Sequence, residues 1–198
     1  MKAVLCPVAL LAALMTGCSA AYAAAPTPVA PSSFEARLLA AHNAERSRLG
    51  QLALVWNTQL ADDARKWAQT LAKNGSFEHE QQNREGENLW AGTKANYSAD
   101  EMVGGWIEEK QYFKAGIFPK VSTSGNWSDV GHYTQLIWYN TARVGCAVAQ
   151  STDEDILVCR YDPPGNWIGQ NPLGADVSKP PIAKTGKPGR RVINKKPM

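Results

Sequence analysis

With 198 residues, 44% hydrophobic and 20% charged, the chain is too apolar to stay unfolded and too short for two large cores. It suits one domain, which at roughly 150 residues buries about 70% of the surface of its unfolded chain. The formal charge of +3 averages unlike parts: residues 26–174 carry 13 Lys and Arg against 17 Asp and Glu, whereas residues 175–198 carry 7 against 1. An acidic domain of this kind excludes a specific nucleic-acid reader, and its basic, Pro- and Gly-rich end cannot bury a core and is expected to be disordered.

The chain opens with Lys2, an apolar run from Val4 to Met15 and small residues through Ala25. Such a run is too short to cross a bilayer and reads as an export signal. Ala21-Tyr22-Ala23 and Ala23-Ala24-Ala25 offer cleavage sites that release a soluble protein. Met15-Thr16-Gly17-Cys18 resembles a bacterial lipobox instead, and its use would leave Cys18 acylated and the protein on a membrane. The expected division is a signal at 1–25, a linker at 26–33, one domain at 34–174 and the basic tail at 175–198.

Ser32 or Ser33 can cap a first helix from about Phe34, with Leu38, Leu39, His42 and Leu49 at helical spacing and Gly50 as its stop. A short apolar segment, 52–56, leads to Asn57, a second capping residue. The helix that follows places Leu60, Ala61, Ala64, Trp67, Ala68 and Leu71 on one face and stops at Asn74-Gly75. Residues 77–86 read as a loop and 87–91 as a short strand. Ser98 caps a third helix with Met102, Val103, Trp106 and Ile107 inward. Gly104-Gly105 weakens that helix by roughly 1 kcal/mol per glycine, which suggests a close backbone approach. Residues 114–129 are irregular. In the helical turns of 131–138, His132 and Gln135 share a face while Leu136 and Trp138 point elsewhere. Strands at 141–149 and 156–161 flank the polar turn 151–155, so helices and antiparallel strands intermix as in an α+β domain.

Of four cysteines, Cys6 and Cys18 fall in the signal, which leaves Cys146 and Cys159. A hairpin centred on 152–153 sets these two directly opposite, within reach of a disulfide that export would permit. Its short loop gives a stabilisation of about 3 kcal/mol in the chain-entropy model. Two buried free thiols are the alternative.

Four stretches stand out: His42-Asn43-x-x-Arg46, Gly86-Glu87-Asn88-Leu89-Trp90, the run from Gly131 to Trp138, and the run from Tyr161 to Gly169. Together and in this order they resemble the signatures of the CAP superfamily, which includes plant pathogenesis-related, venom antigen 5 and cysteine-rich secretory proteins. The resemblance implies a three-layer α-β-α sandwich with a central antiparallel sheet. It implies a cleft lined by His79, Glu87, Glu109 and His132, structural roles for His42, Asn43 and Arg46, and a carboxy-terminal turn fixed by Asn166 and Trp167. The chain departs from the plant pattern in a longer loop between His79 and Glu87, in Arg160 where Asn is usual, and in Leu173 where Tyr is usual. Plant relatives are also thought to release a signalling peptide, which here corresponds to 163–173.

Two imidazoles and two carboxylates can ligate zinc or another divalent cation, act as an acid-base pair, or pair with one another and hold segments together. No Gly-x-Ser-x-Gly elbow or His-Glu-x-x-His helix is present. The reading that follows is an exported, non-enzymatic module with no required cofactor, which binds a sterol or fatty acid, a divalent metal, or a host or envelope protein. The stretch from Tyr112-Phe113 to Ile117-Phe118 offers an aromatic wall for the apolar ligand, or a cover for the sheet. Two alternatives remain open: a metal-dependent hydrolase, with Glu87 or Glu109 as base and His79 and His132 as ligands, and an envelope protein tethered at Cys18.

Overall fold

The computed structural model describes residues 33–82 and 84–174. The expected signal and basic tail, with Cys6, Cys18 and all of the linker except Ser33, lie outside the described residues.

Helix α1 (Ser33–Arg48) buries Leu38 and His42, and Gly50 follows it at φ +67°. The apolar segment after it is less buried than its composition suggests: Leu54 is core, but Leu52 and Val55 are 82% and 65% exposed. Only Val55–Trp56 forms a strand, β1. Asn57 then caps α2 (Thr58–Asn74) by accepting the Leu60 N–H at 3.0 Å, and Gly75 closes the helix in the left-handed conformation. Strand β2 (Gly86–Thr93) is longer than its apolar centre indicates. Ser98 and Glu101 make a reciprocal capping box at the start of α3 (Ala99–Glu108). Helix α4 (Gly131–Leu136) is short, and every one of its residues is buried. The chain returns through β3 (Arg143–Gln150) and β4 (Glu154–Asp162).

The sheet order is β1-β3-β4-β2. Strands β3, β4 and β2 are antiparallel, and the two residues of β1 add a parallel edge against Arg143 and Val144. Because side chains alternate across a pleated strand, β4 sends Leu157, Cys159 and Tyr161 to one face and Ile156, Val158 and Arg160 to the other. The first set packs with Leu38, Met102, Trp106 and Leu136 from α1, α3 and α4; Ile156 and Val158 pack with Ala64, Ala68 and Leu71 from α2. Helices thus cover both faces, the layered α+β sandwich that the motifs imply.

Cys146 lies opposite Cys159 in the β3-β4 ladder, and the two form a disulfide. Of the Gly104-Gly105 pair at which a close backbone approach is expected, Gly104 does not show that approach, since a Cβ added to it meets nothing within 4 Å. It occurs at Gly145, where a Cβ would come within 2.3 Å of the Ala61 nitrogen at the start of α2. The irregular 114–129 stretch has a small core of its own, with Phe118, Val121, Val130 and Trp138 buried together.

Candidate functional site

The histidine-bearing turns are held by a buried polar frame. Arg46, fully buried on α1, donates to the carbonyls of Leu52, Leu136, Trp138 and Thr141 at 2.8–3.1 Å. These include carbonyls at the end of α4 that no continuing helix can satisfy. Burial lowers the guanidinium to about 10, and it still carries its charge at neutral pH. Asn43 exchanges hydrogen bonds with the Leu54 backbone in both directions. At the other end of α4, Asn166 donates to the Gly131 carbonyl at 2.9 Å and accepts from the Thr134 hydroxyl at 2.7 Å. Trp167 closes its own turn on the Pro164 carbonyl, and the Gly165 N–H donates to Gln135. His42, Asn43, Arg46, Asn166 and Trp167 are therefore all engaged in holding backbone.

His42 shows how strictly this frame is wired. Its Nδ1 lies 2.7 Å from the Leu38 carbonyl and must donate, so Nε2 accepts from the Tyr161 hydroxyl at 2.8 Å. Asn88 in turn donates to that hydroxyl at 3.2 Å and to the His132 carbonyl at 3.0 Å. Burial holds the imidazole far below its ordinary range, at about 4, against the opposing pull of the Leu38 carbonyl.

The four residues of the expected cleft form two pairs. His132 Nδ1 meets Glu109 Oε1 at 2.6 Å, and Glu109 Oε2 accepts the backbone N–H groups of His132 and Tyr133, each at 3.0 Å. One carboxylate thus orients the ring and caps the start of α4. His79 Nδ1 bonds Glu87 Oε1, which also accepts the Glu80 N–H at 3.2 Å. Both imidazoles and Glu87 are almost fully buried. Among the described residues no group of three or more His, Cys, Asp or Glu side chains is placed to hold a metal ion. Both cleft carboxylates face imidazole Nδ1 atoms.

Arg160 completes the His79 side, and the sequence reading gave it no such role. It is fully buried on β4, directly across the ladder from Glu87. Its Nη2 lies 2.9 Å from Glu87 Oε2 and 2.5 Å from Glu80 Oε2, and Nη1 lies 3.9 Å from Glu85. The Glu87–Arg160 distance is that of an ion pair, although its angles do not make a hydrogen bond. Burial raises the Glu85 carboxyl, and Arg160 opposes that rise. The signal that would have exposed this contact is register: with β2 and β4 placed as neighbours, Glu87 and Arg160 are cross-strand partners of opposite charge.

A second polar group missed in the sequence is Glu45 on α1. It is buried, accepts from the Tyr133 hydroxyl at 3.0 Å, and pairs with Arg48 at 2.9 Å and Lys110 at 3.5 Å. The aromatic stretch divides its work: Phe118 is core and Phe113 packs edge-on against Tyr133, whereas Tyr112 and Ile117 are exposed. Residues 163–173 are tied to the rest by Gly165, Asn166, Gly169 and the carbonyls of Gln170 and Pro172.

Comparison with known proteins agrees with this geometry. The model of the cysteine-rich secretory protein family, CAP, matches residues 39–161. Pathogenesis-related protein 1A of Nicotiana tabacum is 38% identical over 135 residues, covering 68% of this chain and 77% of that protein. Cysteine-rich secretory protein 2 of Cavia porcellus is 34% identical over 123 residues, covering 59% and 48%. Among solved structures, BmVAL-1 superimposes with a TM-score of 0.60 at 22% identity, over 74% of this chain and 84% of its own. NaASP2 with Zn2+ gives 0.58 at 23% identity, over 72% and 88%.

Proposed function

The chain belongs to the cysteine-rich secretory protein family, CAP, and from that premise we propose that it acts outside the cytoplasm as a non-enzymatic binding module for an apolar ligand, a sterol or a fatty acid. The observation that carries the non-enzymatic part is the engagement of both cleft carboxylates. Glu109 holds three donors and Glu87 two donors and a guanidinium, so the contacts of both carboxylates are with the fold itself. A general base must reach the proton it removes. Here each carboxylate instead ties a loop or a helix start to the body of the fold.

The apolar-ligand part rests on the 112–118 stretch. Phe113 and Phe118 anchor it, which leaves Tyr112 and Ile117 standing out at 46% and 53% exposure beside an ordered backbone bridge from Phe113 to Ser122. Export is supported by the apolar run 4–15 and by the family to which the chain belongs. Among the described residues no helix is long and apolar enough to cross a membrane. The acylated form would be recognised by palmitate labelling that disappears in C18S.

The test is binding of a fluorescent sterol and a fluorescent fatty acid to the wild type, Y112A/I117A and E109Q. Binding that falls at least tenfold in Y112A/I117A and persists in E109Q is expected. Ester or peptide hydrolysis by the wild type that vanishes in E109Q would overturn the reading. A metal-bound reading has two observations in its favour: each imidazole is held at Nδ1 by a carboxylate, as metal-bound histidines commonly are, and the structural neighbour NaASP2 was solved with Zn2+. In that reading His79 and His132 are the ligands, and Glu87 and Glu109 orient them.

A further inference from the structure

We propose that Arg160 is a resident cation, which does beside Glu87 what a divalent ion would otherwise do and keeps the His79 side of the cleft closed to such ions. Three carboxylates, Glu80, Glu85 and Glu87, converge on this one guanidinium, and Asp63 of α2 lies near enough to feel its charge. Arg160 has no exposed surface and its Nε has no hydrogen-bond partner. A guanidinium in that position is stripped of water, and only its carboxylates offset the cost of burying it. A metal ion recruiting Glu87 would have to draw that carboxylate away from both His79 and Arg160 and leave a buried charge with fewer partners.

The contacts also explain why the arrangement is local. Glu80 and Glu85 sit on the loop that joins His79 to β2, and Arg160 sits on β4. The loop from 80 to 85 and the residue at 160 are therefore in contact. Arg160 staples this loop to the sheet and, through Glu87, sets the orientation of the His79 ring. The other pair needs no such staple, because Glu109 is fixed by the backbone N–H groups of α4.

Without Arg160, the same place offers three carboxylates and an imidazole, which is donor chemistry suited to a divalent cation. Zinc titrated calorimetrically into the wild type, R160Q and R160K tests this independently of sterol binding. R160Q is expected to bind zinc about tenfold tighter or more, because a unit positive charge has left the site. Adding E87Q to R160Q is expected to cancel the gain, and R160K, which keeps the charge, is expected to match the wild type. Zinc binding in R160Q no tighter than in the wild type, or an equal gain in R160K, overturns the proposal. Should R160Q fail to fold, NMR of the wild type in millimolar zinc decides. His79 ring and Arg160 Nε–H resonances that stay in place agree with a resident cation; resonances that move overturn it.

Discussion

Acidification should expose His42 as a weak point of the fold. The ring is neutral because Nδ1–H is spent on the Leu38 carbonyl and Nε2 accepts from Tyr161, whose hydroxyl already receives the Asn88 amide. Protonating Nε2 sets its new hydrogen against the tyrosine hydroxyl hydrogen, and that hydrogen has no free direction while Asn88 donates from the other side. Burial, the largest cause, and the nearby Arg46 charge both disfavour the imidazolium and hold the group at about 4, below its ordinary 6.5. The unfolded chain therefore binds the proton first. Stability is fully present above pH 6.5, falls between 6.5 and 4, and is lost below 4, by about 3 kcal/mol in all. Urea unfolding from pH 7.5 to 4 measures this, with H42Q as the reference that lacks the titrating ring. The wild type should show the steeper slope, up to about 1.4 kcal/mol per pH unit, because carboxylates common to both proteins cancel in the difference. Parallel profiles, or a His42 ring that titrates near 6.5 by NMR in the folded protein, would refute the reasoning.

Three further outcomes follow from the frame. R46M takes the guanidinium donor from three buried carbonyls, of which that of Trp138 keeps the Thr141 N–H, and should cost about 2–5 kcal/mol in chemical denaturation; a loss below about 1 kcal/mol would show that water replaces the guanidinium. Replacing both cysteines, in C146A/C159A, should lower stability by about 3 kcal/mol, and reductant should then leave the unfolding midpoint of the variant unchanged while lowering that of the wild type. G145A should destabilise by about 1–3 kcal/mol, because its Cβ meets the backbone of α2. G104A, facing open space within a helix, should stabilise by up to about 1 kcal/mol. Thermal unfolding of the two glycine variants side by side separates close packing from helix propensity.

Where an element's cause is local, the sequence exposed it. Asn57, Ser98 and Gly75 act on backbone groups a few residues away, and the helix limits at those points follow from them. The hairpin that pairs Cys146 with Cys159 was likewise readable, since a turn fixes its own register. Burial depends on the neighbours that tertiary packing brings, and there local reading failed. Leu49, Leu52 and Val55 look like core and stand exposed, on the segment that runs from the end of α1 into the edge strand β1. Gly104 looks like a packing glycine, yet the tight contact falls at Gly145, where α2 starts directly over β3.

The site shows the same division between local and distant causes. The motifs identified His79, Glu87, Glu109 and His132 as residues belonging together, but not which atom faces which. That was decided by three distant groups: the N–H groups of His132 and Tyr133, which bring Glu109 to the start of α4, and Arg160, which arrives on β4 from 73 residues along the chain beyond Glu87. A carboxylate beside an imidazole could serve either as a metal ligand or as its orienting partner, and composition alone does not distinguish them. In the fold, Oε1 of each glutamate faces an imidazole Nδ1, while Oε2 faces two backbone N–H groups in Glu109 and a guanidinium in Glu87. A change in what either glutamate faces would therefore begin at its partners. Arg160 is the most accessible such change, because it is a single side chain, whereas the N–H groups that hold Glu109 are backbone and cannot be removed without moving α4 itself.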